Sequence, residues 1–102
     1  MENKTEENQI TEEKITKYFD VTKRAMEKVK ISEAKYVKIQ FQKAGEDFLE
    51  MARNYFEDAQ HFKENGNVVN AFAALNYAHG WLDCGASLGI FDVHDSSLFT
   101  VE

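Results

Sequence analysis

Two pairs of side chains have the spacing of metal ligands on helices. His79 and Asp83 are four residues apart and Asp58 and His61 are three apart, so each pair would share one helix face. Carboxylate and imidazole groups at such spacings build the metal sites of helical bundles. If the two segments form a hairpin that turns near Gly66, the two histidines lie about 10 Å apart along the helix axes. One metal ion does not bridge that distance, so we predict no metal site and a hydrogen-bonded His79 at the edge of the core.

Groups near the carboxyl end offer little more chemistry. The segment "FDVHD" brings together Asp92, His94 and Asp95, but a metal site there needs a second chain to complete its ligands. Cys84 has no His or Lys beside it in helical projection that would favour its thiolate, and we expect a small, partly buried side chain. We therefore predict no catalytic residue, no cofactor and no enzymatic activity.

One enzymatic alternative rests on a resemblance. The segment "RNYFEDAQH" resembles the Arg–polar-spacer–His motif of the helical RNases called HEPN domains, in which the His acts on a phosphate at a dimer interface. Arg53 and Asn54 match the start of the motif. His61 follows after a longer gap than the family has, and positions 58–60 hold no His. A HEPN-like RNase remains an alternative to a charged outer helix face.

Apolar periodicity predicts the helices that must position these groups. In the first, Thr11 is the expected N-cap, and Glu12 and Glu13 favour the positive end of the helix dipole. Its apolar positions recur at steps of three and four: Ile15, Phe19, Thr22, Ala25, Met26 and Val29.

The second helix is the most regular amphipathic segment of the chain. Its apolar stripe comprises Phe41, Ala44, Phe48, Met51, Ala52, Tyr55, Ala59 and Phe62. Its start is open: Ser32 caps a helix that runs from Glu33, or residues 31–38 form a linker. Its end is predicted at Asn65-Gly66-Asn67, with Gly66 in a left-handed C′ position and Asn67 as the next N-cap.

The third helix is expected from about Val68 to Leu88, closed by Gly89, with Ile90 folding back as the apolar contact of the cap. Its segment Asn70–Phe91 has a single charged residue, Asp83. Five polar side chains along it argue against a membrane span. Its apolar arc covers more than half the circumference, which predicts a helix buried on several sides. The expected hairpin core is Phe48, Tyr55, Ala59, Leu75, Ala78 and Leu82.

The remaining side of the third helix is smooth, because its side chains are all short. We interpret this side and its aromatic neighbours as a candidate interaction surface, formed by Val69, Ala73, Asn76, Tyr77, Gly80, Trp81, Leu88 and Phe91. Gly80 costs close to 1 kcal/mol relative to Ala in a helix interior, so close approach of another backbone is expected to compensate. Either the first helix or a second copy of the protein would supply that backbone.

Charge divides the chain into blocks. The net charge is −6, yet the segment from Lys14 to Lys43 holds nine basic and three acidic residues. The acids are concentrated in residues 1–13 and from Ala44 onward. A solvated basic face that attracts the acidic second helix explains this pattern, and RNA binding by the first helix is the alternative. The lone cysteine and the charged, apolar-poor start predict an intracellular, cytoplasmic protein.

The segment "GEDFLEMARNYFEDAQHFKENGNVVNAFAALNYAHGWLDCGASLGIFDV", Gly45 to Val93, resembles the archaeal domain-of-unknown-function family numbered 357. The run from Asn76 to Val93 is the most specific part of the resemblance. It implies a compact helical domain from an archaeal cytoplasm and assigns no activity or ligand to any position.

We predict an all-α fold, a three-helix bundle built on a long antiparallel helical hairpin. Residues 1–10 are expected to be a disordered acidic leader, residues 11–93 a single helical domain, and residues 94–102 a flexible acidic tail. The predicted function is non-catalytic: the domain binds a protein partner or forms a homodimer, with no membrane association. Partner identity, oligomeric state and nucleic-acid binding by residues 14–43 are left open by the sequence.

Overall fold

The computed structural model describes residues 9–33 and 40–99. It contains three α-helices, α1 (Glu12–Lys28), α2 (Phe41–Glu64) and α3 (Val68–Ser87), and no strand among these residues. The expected all-α class is confirmed. The chain divides into two compact units, residues 1–38 with α1 and residues 39–102 with α2 and α3. The expected leader lies mostly outside the described residues.

Helix α1 begins as its sequence predicts. Thr11 is extended and its side-chain oxygen accepts a hydrogen bond from the backbone N–H of Lys14 at 3.1 Å. Glu12 and Glu13 occupy the first turn and Lys28 the last, which suits the helix dipole at both ends. An exposed ion pair at 3.0 Å joins Asp20 to Arg24 one turn later. Every residue of α1 is exposed, including those of its apolar stripe.

Helices α2 and α3 pack along a seam of small residues. Ala52 and Ala59 are buried on α2, and they are seven residues apart. Ala71, Ala78 and Gly85, also seven apart, are buried on α3. Seven residues are close to two helical turns, so each set forms a row along one side of its helix. Short side chains along both rows allow the two backbones to approach closely.

Two aromatic contacts flank this seam. The rings of Phe48 and Trp81 meet edge to face with centroids 5.3 Å apart, and those of Tyr55 and Tyr77 stack at 4.6 Å. Such pairs contribute roughly 0.5–1.5 kcal/mol beyond the area they bury. Phe48 precedes Tyr55 on α2, whereas its partner Trp81 follows Tyr77 on α3.

The turn between α2 and α3 has the predicted chemistry. Gly66 has φ of 77°, and its N–H donates to the carbonyl of Lys63 at 3.1 Å. The N–H of Asn67 donates to the carbonyl of Phe62 at 2.8 Å, which completes a Schellman motif. The Asn67 side chain then accepts a hydrogen bond from the N–H of Asn70, so it caps α3 as predicted.

The end of α3 is closed by a second motif of the same kind. Gly89 has φ of 75° and Ile90 donates its N–H to the carbonyl of Gly85 at 2.9 Å. The chain then runs back over the hairpin: the Ile90 side chain lies against Gly45 of α2, and the Phe91 ring lies against Gly85. Gly45 on α2 and Gly85 on α3 thus leave room for the side chains of Ile90 and Phe91, which follow α3.

One expectation about a helix face was wrong. Leu75, expected in the core, is 43% exposed, while Ala74 is buried instead. The buried side of α3 is therefore turned toward Ala74 and Trp81. In the isolated chain, Phe72, Ala73 and Tyr77 are exposed. The expectation of burial on several sides stays a prediction, because it depends on a further helix or a second copy.

Candidate interaction surface

The side of α3 that faces away from α2 is exposed and almost uncharged. It consists of Val69, Ala73, Asn76, Gly80 and Ser87, and we call it the outer face. Gly80 follows the buried Ala78 by two residues, which places it about 200° around the helix from the seam. All five are exposed except Val69, which is half-buried. The structure thus presents the predicted smooth strip to solvent.

Gly80 has no packing reason to lack a side chain within the hairpin. A Cβ built at this position meets no atom within 4 Å, and its backbone is helical. Gly85 is the opposite case, because a Cβ there would collide with the Phe91 ring. Packing within the chain therefore explains why position 85 has no side chain, but it does not explain Gly80.

The aromatic residues predicted beside the outer face belong partly to the hairpin. Tyr77 stacks on Tyr55 yet remains 61% exposed, so most of its surface is open to a partner. Trp81 is half-buried against Phe48, and its indole Nε1 is shielded from solvent without an acceptor among the described residues. Tyr77 offers contact area, whereas Trp81 is mainly anchored within the hairpin.

The last two predicted surface residues lie in different environments. Leu88 is the C-cap residue of α3 and is 57% exposed. Phe91 is half-buried, and its ring is used in the contact with Gly85. Sequence reasoning overlooked Phe72, which is 68% exposed beside Ala73. The sequence could have indicated Phe72, because this residue borders the outer face in helical projection.

The groups with metal-ligand spacing do not converge. His79 Nε2 lies 3.6 Å from Asp83 Oδ1, and this contact between an exposed His79 and a half-buried Asp83 stays within one helix. Asp58 and His61 are exposed on α2. Nowhere in residues 9–33 and 40–99 do three or more His, Cys, Asp or Glu side chains cluster in a way that could hold a metal ion. Cys84 is exposed, which corrects the expectation of a partly buried residue.

The acidic tail forms local contacts only. His94 Nε2 lies 2.8 Å from Asp92 Oδ1, with both side chains exposed. The side chain of Asp95 accepts hydrogen bonds from the hydroxyl and the backbone N–H of Ser97. These two bonds lower the pKa of the Asp95 carboxyl, because they stabilise its charged form.

Arg53 and His61, the residues of the HEPN resemblance, are both exposed on α2. They are eight positions apart, so they lie about 12 Å apart along the helix axis. A reacting phosphate contacts groups within hydrogen-bond reach of one another. A single copy of the chain does not bring this pair together.

No helix that the structure describes combines the length and the apolar character required to cross a lipid bilayer.

A family model described as "Protein of unknown function (DUF357)" matches residues 17–91. This range covers most of the chain and includes both α2 and α3. The chain belongs to this family. No curated protein and no solved structure matches the chain.

The extent of the family match agrees with the packing of the hairpin. The match ends at Phe91, the residue whose ring lies against Gly85. It begins at Lys17 and so takes in most of α1, beyond the segment from Gly45 on which the sequence resemblance rested. The matched range therefore includes most of α1, all of α2 and α3, and the residues after α3 up to Phe91.

Proposed function

We propose that this member of the family acts without catalysis, by self-association through the outer face of α3. The proposal includes a finer description of the fold: α2 and α3 form an antiparallel hairpin within a three-helix bundle. A cytoplasmic location in an archaeal cell is part of the same proposal. The candidate surface comprises the outer face together with Tyr77 and Leu88.

The observation that carries the proposal is the open space at Gly80. A glycine in a helix interior costs about 1 kcal/mol relative to Ala, and nothing in the hairpin would prevent an Ala at this position. Glycine is the residue that permits close approach of another backbone. A second molecule packed closely on α3 accounts for the missing side chain.

The surroundings of Gly80 support a protein partner. Tyr77 and Phe72 flank the outer face with large exposed rings. Aromatic side chains are enriched at interfaces, while charged residues are depleted at interface centres. In contrast, the exposed side of α2 carries Glu46, Glu50, Arg53, Glu57 and Glu64. The five residues of the outer face carry no such charges, so this face is better suited to a buried contact than to water.

Sedimentation velocity of the purified protein tests the proposal directly. We expect the wild-type chain to be a dimer, and Gly80→Glu to be a folded monomer with an unchanged circular dichroism spectrum. Asn54→Glu adds the same charge on the exposed side of α2 and is the matched control, which should remain dimeric. A wild-type protein that stays monomeric at every concentration tested would sink the proposal.

An RNase activity would contradict the non-catalytic part of the proposal. Incubation of the protein with single-stranded RNA is expected to leave the RNA intact. If cleavage occurred and disappeared in both Arg53→Ala and His61→Ala, the HEPN-like alternative would replace our proposal. Cleavage that persisted in both variants would indicate a contaminating nuclease.

A further inference from the structure

The stacked rings of Tyr55 and Tyr77 connect the two helices of the hairpin. Their centroids lie 4.6 Å apart, and the ring planes make an angle of 21°. Tyr55 belongs to α2 and Tyr77 to α3, so the packing of one helix on the other brings the rings together. Two phenol rings in direct contact on separate helices have the proximity that a bond between them requires.

Buried alanines hold the two rings in this position. Ala52 and Ala59 lie three positions before and four positions after Tyr55, and both are buried. Ala74 is buried three positions before Tyr77. Residues at these spacings share one side of a helix, so each ring is attached beside the close approach of the two backbones. Groups that the fold already holds in contact react far more readily with each other than groups that must first meet.

Solvent access differs between the two rings. Tyr77 is exposed and Tyr55 is half-buried, so a small oxidant reaches both phenols and Tyr77 more readily. Tyr18 is also exposed, but it lies on α1 in the other compact unit. Exposure alone therefore does not set the Tyr55–Tyr77 pair apart, whereas ring contact within one unit does.

We infer that Tyr55 and Tyr77 form a site of oxidative modification, at which hydrogen peroxide and a peroxidase join the two rings into one biphenol. The new bond fixes α2 to α3 between the Gly66 turn and the contact of Phe91 with Gly85. The modification goes beyond the proposed self-association and does not depend on it, because both rings belong to one hairpin. An oxidant thereby locks the hairpin in its folded form.

The chemistry of the link balances with one molecule of hydrogen peroxide. Each phenol gives up one electron and its hydroxyl proton, which leaves a phenoxyl radical on each ring. The two radicals couple through one Cε atom of each ring, and a carbon–carbon bond forms. Each bonded carbon then loses its hydrogen as a proton while the oxygen of the same ring takes up a proton, so both rings are aromatic again. The two electrons and two protons removed overall reduce one hydrogen peroxide to two water molecules.

Mass spectrometry of the oxidised full-length chain tests the inference. The chain carries Cys84→Ser, because the exposed thiol would otherwise consume oxidant. A haem peroxidase with limiting hydrogen peroxide is the oxidant, and a low protein concentration disfavours links between chains. After denaturation we expect a single-chain mass lower by two hydrogen atoms. Proteolysis should then give one cross-linked product that contains both Tyr55 and Tyr77, together with biphenol fluorescence.

Two matched variants show which phenols react. Tyr77→Phe retains a ring for the stack, so the hairpin should fold unchanged, but it has no hydroxyl proton to lose and should abolish the link. Tyr18→Phe removes an exposed phenol from α1 and should leave the yield unchanged. A link from Tyr55 or Tyr77 to Tyr18, products between chains only, or oxidised tyrosines without a link would each overturn the inference.

Thermal unfolding of the purified cross-linked monomer gives an independent measurement. The bond closes a loop between positions 55 and 77 and lowers the entropy of the unfolded chain, as a disulfide does. The Tm should rise by at least about 5 °C relative to the unoxidised chain. Tyr77→Phe that is oxidised in the same way should show no increase. An unchanged or lower Tm of the cross-linked chain would overturn the inference that the folded hairpin positions the rings for coupling.

Discussion

The ring of Phe91 fills the space beside Gly85 that a side chain at position 85 would need. The backbone N–H of Phe91 also donates to the Gly85 carbonyl at 3.1 Å. Across the seam, a Cβ on Gly45 would lie 3.2 Å from Ile90 Cγ2 and 3.7 Å from Phe91 Cε1. The segment after α3 is thus held by both helices, and it closes the end of the hairpin opposite the Gly66 turn.

The first prediction follows from this contact. Gly85→Ala should lower the free energy of unfolding by about 1–3 kcal/mol, because the added methyl group overpacks the site. Gly80→Ala is the matched control: its methyl group meets no atom, so better helix propensity should stabilise the monomer by up to about 1 kcal/mol. Urea denaturation at low protein concentration measures both.

A double-mutant cycle shows whether the Phe91 ring is the cause. In a Phe91→Ala background, Gly85→Ala should no longer destabilise the hairpin, because the space beside position 85 is then empty. Additive effects of the two substitutions would contradict the packing described for Phe91.

The second prediction concerns the small-residue seam. Ala59→Leu should destabilise the hairpin by about 1–3 kcal/mol, since Ala59 is buried where the two helices approach each other. Gln60→Leu adds the same side chain at the neighbouring exposed position and should change stability by less than about 0.5 kcal/mol. Thermal unfolding followed by circular dichroism compares the two. Equal effects would mean that the seam is not closely packed.

The third prediction concerns the edge-to-face contact of Phe48 with Trp81. Phe48→Ala should cost about 2–3 kcal/mol, less than for a fully buried ring because Phe48 is half-buried. The fluorescence of Trp81, the single Trp in the chain, should shift to longer wavelength as the ring loses its neighbour. Phe56→Ala on the exposed side of α2 should cost under about 1 kcal/mol and leave the fluorescence unchanged. An unchanged emission in Phe48→Ala would refute the contact.

The fourth prediction is a pH dependence in the tail. The hydrogen bonds from Ser97 hold the pKa of Asp95 below its ordinary value. The turn at Asp95 is therefore fully stabilised above the ordinary carboxyl pKa, and this contribution is lost as the pH falls through the lowered pKa. NMR titration should detect the low pKa, and Ser97→Ala should raise it. If the pKa were the same in both proteins, the Ser97 contact would not exist in solution.

The fifth prediction separates self-association from RNA binding. Lys14, Lys17, Arg24 and Lys28 are all exposed on α1. We expect their affinity for single-stranded RNA to stay in the non-specific range, with a Kd no tighter than about 10⁻⁶ M at physiological salt. Fluorescence anisotropy measures this. Tighter binding that fell steeply with salt, and that was lost when these four residues became Gln, would support the RNA-binding alternative.

The sequence by itself determined four helix ends but left the start of α2 open, which the structure places at Phe41. Thr11, Gly66, Asn67 and Gly89 all act as predicted, because a cap joins backbone groups within about five residues of one another. The apolar stripe of α2 was equally clear, since its opposite side is charged. Helix caps and a narrow apolar stripe can therefore be predicted without knowledge of the rest of the fold.

Only the tertiary structure decided which side of α3 is buried. Apolar residues cover more than half of its circumference, so periodicity could not choose between Leu75 and Ala74. The position of α2 made that choice, because small residues on both helices allow the closest approach. The role of Phe91 was likewise beyond the sequence pattern. Its ring meets Gly85 nearby in the chain and Gly45 some 46 positions away, and only folding brings these two glycines together.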